Sequence, residues 1–328
     1  MWQIGDADAD WRVRDTRLDC DLHAVVHTVA GPHAVGGSGT LAADRGKGWQ
    51  PLFDDGPATE GRQLRAIDVT DDGGRLWIAG ADGSMACYDV RAGRRYDYGY
   101  PAELADSWGG VAVAGPRGRE KVLAADRDGR VLPFVVDGTT PEWGSPDRVA
   151  AGGGTVAALA STPEGVGFAV DTEGTAYKTS PETGWDDIGV VDADAAVGDL
   201  YAGPGEQVYV AASDGHLYRY GSSYHSWTPI EVGDAGLRAV DVYATDARER
   251  MTALGADGRT FERVAANRWE AVPARVDARL TDLALGPVDV IVSGNGIVVE
   301  RDHTAAEKEP PAEPIPVTDR TTPRVGRE

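Results

Sequence analysis

VYVAASDGHLYRYGSSYHSW, from Val208 to Trp227, contains the pattern that decides the fold of this 328-residue chain. A short apolar segment leads to a turn at Asp214-Gly215, and a second segment and then a Trp follow the turn. An Asp-Gly pair between two such segments favours a tight hairpin, because glycine adopts positive φ without steric cost. The stretch therefore predicts two antiparallel strands and the start of a third.

The same hairpin recurs seven times. Its turn glycines are Gly39, Gly83, Gly129, Gly174, Gly215, Gly258 and Gly296, separated by 44, 46, 45, 41, 43 and 38 residues. An apolar segment precedes each hairpin, and five hairpins are followed by a Trp that we expect to open a fourth strand: Trp49, Trp143, Trp185, Trp227 and Trp269. Tyr96 takes this place in the second unit. Seven units of four strands predict an all-β fold, a seven-bladed β-propeller with four-stranded blades.

The two ends of the chain indicate how the ring closes. The seventh unit lacks a fourth strand, whereas WRVRD, from Trp11, is a strand without a unit of its own. We therefore predict that the N-terminal strand, residues 11–17, completes blade 7 within a propeller domain of residues 1–301. Residues 302–328 contain five prolines and no apolar periodicity, which predicts a disordered, acidic and Pro-rich tail.

The charge of the chain limits its partners. Asp and Glu number 53 against 32 Lys and Arg, which gives a net charge of −21 and argues against nucleic acid. Only four residues are lysine, and 36 of the acidic residues are Asp. This composition is typical of proteins from salt-loving archaea and their viruses, although an ordinary acidic protein is the alternative. At molar salt the Debye length is about 3 Å, so the repulsion between surface carboxylates is screened.

Several classes of protein are not supported by the sequence. Cys20 and Cys87 show neither disulfide nor zinc spacing. No run of 18 apolar residues and no signal-peptide pattern occurs, so we expect a cytoplasmic protein without membrane insertion, or a virion component. The motifs of α/β-hydrolases, zinc proteases, P-loop enzymes and EF-hands are missing too, which favours a non-enzymatic role.

The repeats resemble those of quinoprotein-type (PQQ-like) and WD40-like propellers. The segment LWIAGADGSMACYDVRAGRRY, from Leu76 to Tyr96, is similar to them, and Asp89, Gly93 and Tyr96 approximate the Asp, Gly and Trp of the quinoprotein docking motif. The other units keep the Trp but not the spacing of Asp and Gly. The resemblance implies a propeller and does not imply a quinone cofactor.

Carboxylates are expected along the central channel. The first strand of each unit lines this channel in known propellers, and it carries Asp68 and Asp241 in blades 2 and 6, with Asp199 and Asp282 two positions earlier in blades 5 and 7. Converging carboxylates suit Ca²⁺ or another divalent cation. A water-filled channel with no cofactor is the simpler interpretation, and we prefer it. His23 and His27 are about 13 Å apart on one strand, too far to share a metal, and are expected at the channel mouth or in packing.

One connection departs from the repeat. RRYDYGYPAELADSWG, from Arg94 to Gly109, places arginine and tyrosine where the other units have a Trp. Arg and Tyr are frequent in the energetically dominant parts of protein interfaces, so Arg94, Arg95, Tyr98, Tyr100 and Trp108 are the predicted interaction residues. The alternative is that Tyr96 and Tyr98 only fill the fourth strand.

The sequence thus favours a non-catalytic scaffold that presents propeller loops to a protein partner. An enzyme or ligand-binding propeller with a site at the channel mouth is one alternative. A structural or adhesive component of a virion or surface assembly is another. The sequence does not predict the oligomeric state.

Overall fold

In the computed structural model, seven separate antiparallel sheets form a closed ring. The structure describes residues 11–303, apart from 58–59, 100–106, 150–153, 193, 246–247 and 275. The first strands of successive blades lie in contact around the whole ring and enclose the central channel. The predicted all-β, seven-bladed propeller is confirmed.

The blades follow the chain in order, each with its first strand innermost. Blades 1 to 3 contain β2 (Leu22–Thr28), β3 (Gly31–Gly36), β4 (Leu41–Asp44) and β5 (Trp49–Phe53); β6 (Leu64–Val69), β7 (Arg75–Gly80), β8 (Met85–Asp89) and β9 (Arg94–Tyr98); and β10 (Trp108–Ala114), β11 (Lys121–Asp126), β12 (Arg130–Asp137) and β13 (Thr140–Trp143), with β14 (Asp147–Arg148) paired to β12. Among the described residues, short 3₁₀ segments occur in the connections at Gly37–Gly39 and Pro204–Glu206.

The later blades repeat this arrangement. Blades 4 to 7 contain β15 (Val156–Ser161), β16 (Gly167–Asp171), β17 (Thr175–Ser180) and β18 (Gly184–Val190); β19 (Val197–Gly203), β20 (Gln207–Ala212), β21 (His216–Gly221) and β22 (Ser226–Glu231); β23 (Leu237–Ala244), β24 (Glu249–Gly255), β25 (Arg259–Ala265) and β26 (Arg268–Pro273); and β27 (Leu280–Ala284), β28 (Val288–Ser293) and β29 (Val298–Asp302) with β1 (Arg12–Arg14).

The repeated turns behave as the sequence predicts. Each of the seven turn glycines has a φ between 71° and 85°, in the left-handed region. In blade 2 both Asp82 and Gly83 have positive φ, which is the conformation that a two-residue hairpin requires at both central positions. The glycines therefore set the length and register of the second and third strands in each blade.

The N-terminal strand closes the ring. In β1, Val13 lies opposite Val299 of β29, and Trp11 just before it is 7% exposed beneath the guanidinium of Arg301, 4.6 Å from its ring centroid. The predicted closure is confirmed, although the strand is shorter than 11–17, because the backbone turns towards blade 1 after Arg14. There the amide of Arg17 donates to the carbonyl of Trp49 at 3.1 Å.

The hydrophobic core is divided into clusters between neighbouring blades. Between blades 2 and 3, the ring of the fully buried Trp77 contacts that of Phe134 with centroids 5.1 Å apart. Trp143 is an exception to the repeat, because it ends its strand instead of opening it. Asp137-Gly138 forms an additional turn, with Gly138 at φ 62°, and this turn starts the fourth strand early.

A buried charge cluster holds the end of the described chain. The Asp289 carboxylate accepts hydrogen bonds from Arg250 of blade 6 at 2.6 Å and from His303 at 2.7 Å. Burial by itself raises the pKa of Asp289, but these bonds outweigh it and hold that pKa below its usual value. β29 thus extends to Asp302, and His303 is fixed to blade 7, so the first two residues of the predicted tail belong to the ring. The remainder of that tail, residues 304–328, lies outside the described residues.

Candidate functional site

The four predicted channel carboxylates join neighbouring blades. Each Asp lies on an innermost strand, whose channel-side edge has no strand partner. Asp68 accepts the N–H of Val69, the next residue of its own strand, through Oδ1, and the N–H of Val113 in blade 3 through Oδ2, both at 2.7 Å. Unpaired N–H groups on such an edge cost free energy if they are buried. The carboxylate therefore satisfies two of them and connects blades 2 and 3.

The other three carboxylates repeat this geometry. Each accepts two backbone N–H groups from adjacent blades, at N···O distances of 2.7 to 3.0 Å. The pairs are Leu200 and Val240 for Asp199, Val242 and Leu285 for Asp241, and Leu283 and Val25 for Asp282. In every case the two N–H groups occupy equivalent positions in adjacent blades. The bridges join blades 2 and 3, 5 and 6, 6 and 7, and 7 and 1. We call them the carboxylate bridges.

Burial is the largest effect on the pKa values of these four carboxyl groups, and it raises each of them. The side chains keep a partial opening to the channel but are surrounded by protein, and this raises the pKa of Asp68 to about 7 and that of Asp241 to about 6. The bonds to backbone N–H groups act in the opposite direction. Burial also raises the pKa values of Asp199 and Asp282, and for Asp282 the charge of Asp199 adds to this effect. The channel thus contains four carboxylates that influence one another.

The arrangement at the channel is not that of a preformed metal site. Within the described ranges, no group of three or more His, Cys, Asp or Glu side chains is placed to hold a metal ion. His23 lies at the start of the innermost strand of blade 1, with Nε2 2.7 Å from the Gln63 amide nitrogen. His27 packs against Gly286, where a Cβ would lie only 2.7 Å from the imidazole. Both histidines occupy the places expected for them, at the mouth and in packing.

The predicted interaction residues separate into buried and accessible ones. Trp108 is 1% exposed in the core between blades 2 and 3, so its inclusion was wrong: it cannot reach a partner in this structure. Tyr98 is half-buried, with its ring stacked on Trp77 at 5.3 Å and its hydroxyl donating to the Thr139 carbonyl at 2.7 Å. It fills the fourth strand, as the alternative interpretation expected. Tyr100 lies outside the described residues.

Arg94 and Arg95 remain at the surface, beside a cleft between the outer strands of blades 1 and 2. Arg94 is exposed, with its guanidinium 4.9 Å from the Tyr96 ring centroid. The guanidinium of Arg95 lies 4.7 Å from the centroid of Phe53 and pairs with Asp55 at 2.7 Å. The cleft has a volume of about 550 Å³ and is lined by Arg45, Leu52, Phe53, Asp55, Tyr88, Gly93, Arg95 and Asp97. We call it the blade 1–2 cleft.

Sequence reasoning missed two groups of residues at possible binding surfaces. The blade 1 side of the cleft, with Phe53 and Arg45, was not identified because it depends on which blades are neighbours. Arg65 and Arg238 at the channel mouth were also missed, although the segments LRAIDV and LRAVDV gave a signal. The two arginines precede Asp68 and Asp241 by three residues in otherwise matching strands, and a comparison of all seven first strands would have found them.

Comparison with known proteins supports the fold. No protein-family model and no curated protein matches the sequence. Among solved structures, YCF48 bound to a D1 peptide is 14% identical, with a TM-score of 0.72 over 92% of this chain and 99% of that chain. Virginiamycin B lyase from Staphylococcus aureus is 10% identical, with a TM-score of 0.71 over 89% and 99%. The WD40 β-propeller domain of Doa1 is 11% identical, with a TM-score of 0.68 over 92% and 97%.

These similarities establish a seven-bladed propeller with WD40-like neighbours and nothing finer. One neighbour is a peptide complex and another a lyase, and a single fold hosts both kinds of function. In the part of the chain that the structure describes, no helix has the length and apolar character that a membrane span requires. The function must therefore be argued from the surfaces.

Proposed function

We propose that this protein is a non-catalytic scaffold that binds a protein partner through its propeller surface. The observation that carries the proposal is the blade 1–2 cleft, where two arginines and two aromatic rings converge. Arg45 donates to the Tyr88 hydroxyl at 3.3 Å, and the Phe53 and Tyr88 rings lie 6.2 Å apart. Arg and aromatic side chains in partly desolvated clefts are the usual anchors of protein interfaces.

The cleft is held in shape by its own contacts. Arg95 is fixed by Asp55 at 2.7 Å, by Asp97 at 2.8 Å and by the face of Phe53. A preorganised side chain loses little conformational entropy when a partner binds, so more of the contact energy appears as affinity. An interaction surface of this kind also agrees with the peptide-bound and WD40-type structures among the neighbours.

We prefer the scaffold to an enzyme with a carboxylate site in the channel. Asp68 and Asp241, which the enzyme hypothesis needs, each accept two backbone N–H groups and connect blades. A divalent cation there would compete with these bonds. The acidic, lysine-poor composition supports one further part of the proposal, a source that lives in high salt, and the proposal places the protein in the cytoplasm of that source or in a virion.

Paired arginine variants test the scaffold function. Arg45→Ala with Arg95→Ala removes the cationic side of the cleft, whereas Arg263→Ala with Arg268→Ala removes two arginines from the outer strands of blade 6. Each variant and the wild type are used as bait in the native cells at their own salt concentration, and bound proteins are quantified by mass spectrometry. We expect a partner that the wild type and the blade 6 variant retain and the cleft variant loses. Equal recovery with all three baits contradicts a role for the cleft, and no partner with the wild type contradicts the scaffold function.

A further inference from the structure

At one end of the central channel arginines outnumber carboxylates, although the protein is acidic overall. At this end each blade contributes two residues, one just before its innermost strand and one at the second position of that strand. Residues from adjacent blades contact each other here: the Thr281 hydroxyl donates to the Leu22 carbonyl at 2.9 Å, and Gln63 is hydrogen-bonded to His23. We call these two positions of all seven blades together the channel mouth.

The charges of the mouth are mostly arginines. Arg65 and Arg238 occupy the second strand position in blades 2 and 6, and Arg279 precedes the first strand of blade 7. The only carboxylate at these positions is that of Asp21. The mouth therefore has a formal charge of 3 − 1 = +2 in a chain whose net charge is −21. In a chain with more acidic than basic residues, charges placed at random would more often give these positions a negative sum.

The arginines have hydrogen-bond donors without acceptors. Nε and Nη2 of Arg65 donate to the Gln63 side chain at 3.3 and 3.2 Å, but its Nη1 is buried and has no acceptor among the described residues. Nε of Arg238 is also buried without an acceptor, and no carboxylate in the described ranges pairs with that side chain. Burial, together with the charge of Arg279, lowers the pKa of Arg238. Buried donors without acceptors cost free energy, so an anion bound to either arginine would stabilise it.

The opposite side of the mouth carries only small side chains. On blades 3, 4 and 5 the equivalent residues are Ser107, Gly109, Thr155, Ala157, Ala196 and Gly198. Deeper in the channel, the carboxylate bridges begin one position beyond the arginines, with Asp199 and Asp282 at the third position of their strands. The oxygens of these two carboxylates already accept backbone N–H groups, so the free donors for an anion lie at the mouth and not deeper in the channel.

We propose that the channel mouth binds the side-chain carboxylate of a polypeptide, an Asp or Glu flanked by basic residues. The planar guanidinium of either arginine can donate two parallel hydrogen bonds to the two oxygens of a carboxylate. The surrounding acidic surface repels polyanions and favours a basic segment on both sides of that residue. This inference rests on the proposed function, because it assumes a protein partner, but it assigns the partner's chemistry and a second contact point.

Peptide selection tests the proposal on the full-length protein. A phage library of random 12-residue peptides is selected against the wild type, against Arg65→Gln with Arg238→Gln, and against Arg263→Gln with Arg268→Gln as the control with the same charge change. Peptides selected by the wild type are then synthesised with their acidic residue as the acid or as its amide, with the C-terminus free or amidated. Affinities are measured by titration calorimetry at one fixed ionic strength.

We expect the selected peptides to share one acidic residue between basic ones. Their affinity falls by about tenfold or more when that residue becomes an amide and when both mouth arginines are replaced, and it stays unchanged for the control and for an amidated C-terminus. The melting temperature of the mouth variant stays close to that of the wild type, because neither arginine has a carboxylate partner among the described residues and Arg65 loses only its bonds to the Gln63 side chain. If the peptides bind the mouth variant as tightly as the wild type, the proposed binding at the channel mouth is wrong, and the scaffold function is unaffected. If no peptides are enriched on the wild type, the mouth proposal fails, and the scaffold function is decided by the bait experiment described above. If the affinity requires a free C-terminus, the mouth binds the terminal carboxylate and not a side-chain carboxylate, and the proposal is wrong.

Discussion

Replacing Trp11 with alanine tests how much of the stability depends on closure by the N-terminal strand. Trp11 is 7% exposed, packs in a cluster with Ile291 and Val299, and lies under Arg301. Truncating a buried Trp to Ala costs about 3–5 kcal/mol, and loss of the cation–π contact adds about 0.5–1 kcal/mol. For a chain of this size each kcal/mol corresponds to about 2 °C, so we expect the melting temperature to fall by about 7–12 °C.

The matched control is Val13→Ala on the same strand. Val13 is 57% exposed and pairs with Val299 only through the backbone register, so its truncation should change the free energy of unfolding by less than about 0.5 kcal/mol. Thermal and guanidinium unfolding are followed by far-UV circular dichroism in the same salt for all three proteins. If Trp11→Ala and Val13→Ala unfold at the same midpoint, the N-terminal strand does not stabilise the ring, and closure of blade 7 contributes nothing to its stability.

Two further predictions concern the carboxylate bridges. Because burial raises the pKa of Asp68 from its ordinary 3.8 to about 7, the folded state holds an additional proton between these values, and the wild type loses stability as the pH rises through this window. Asp68→Asn removes this titration. The difference in free energy of unfolding between the wild type and this variant, measured by guanidinium titration, should therefore shrink between pH 4 and pH 7 by up to about 1.4 kcal/mol per pH unit. A difference that stays constant over this range contradicts the raised pKa. For metal binding, we expect added calcium chloride to leave the melting temperature equal to that in sodium chloride of the same ionic strength, because the bridges already use both oxygens of each carboxylate. A calcium-specific increase that Asp241→Asn abolishes would show instead that the channel binds the cation.

The blade architecture could be predicted from the sequence because it depends on local turn chemistry. Each Asp-Gly or related pair fixes a hairpin by itself, and the seven copies then determine the number of blades. Trp143 was misplaced within its strand because Asp137-Gly138 provides a second turn of the same kind nearby. Where two equivalent local signals compete, only the packing of the finished blade decides between them.

The candidate sites could be predicted only in part, because they depend on contacts between blades. The sequence placed Asp68 and the other three carboxylates at the channel, but their bonds to the next blade depend on how adjacent innermost strands are aligned. Trp108 illustrates the same limit. The composition of its segment predicts an interface residue, whereas neighbouring residues of blades 2 and 3 bury the side chain. The mouth arginines were overlooked because they are recognisable only when the seven first strands are compared position by position.

The closure of the ring also affects how the chain must fold while it is synthesised. Arg14 is made 298 − 14 = 284 residues before its partner Val298, which at about 5–20 residues per second is a delay of roughly 15–60 s. During this time β1 has no partner, and an unpaired strand can join another chain. All three residues of β1 are exposed in the finished ring, and two are arginines that repel a second copy of the strand. Arg14 lies 3.7 Å from Asp44 of blade 1, but its nearer partner, Glu300 at 2.7 Å, appears only with β29, so the last strand of the chain supplies the closer of the two charges that neutralise the first.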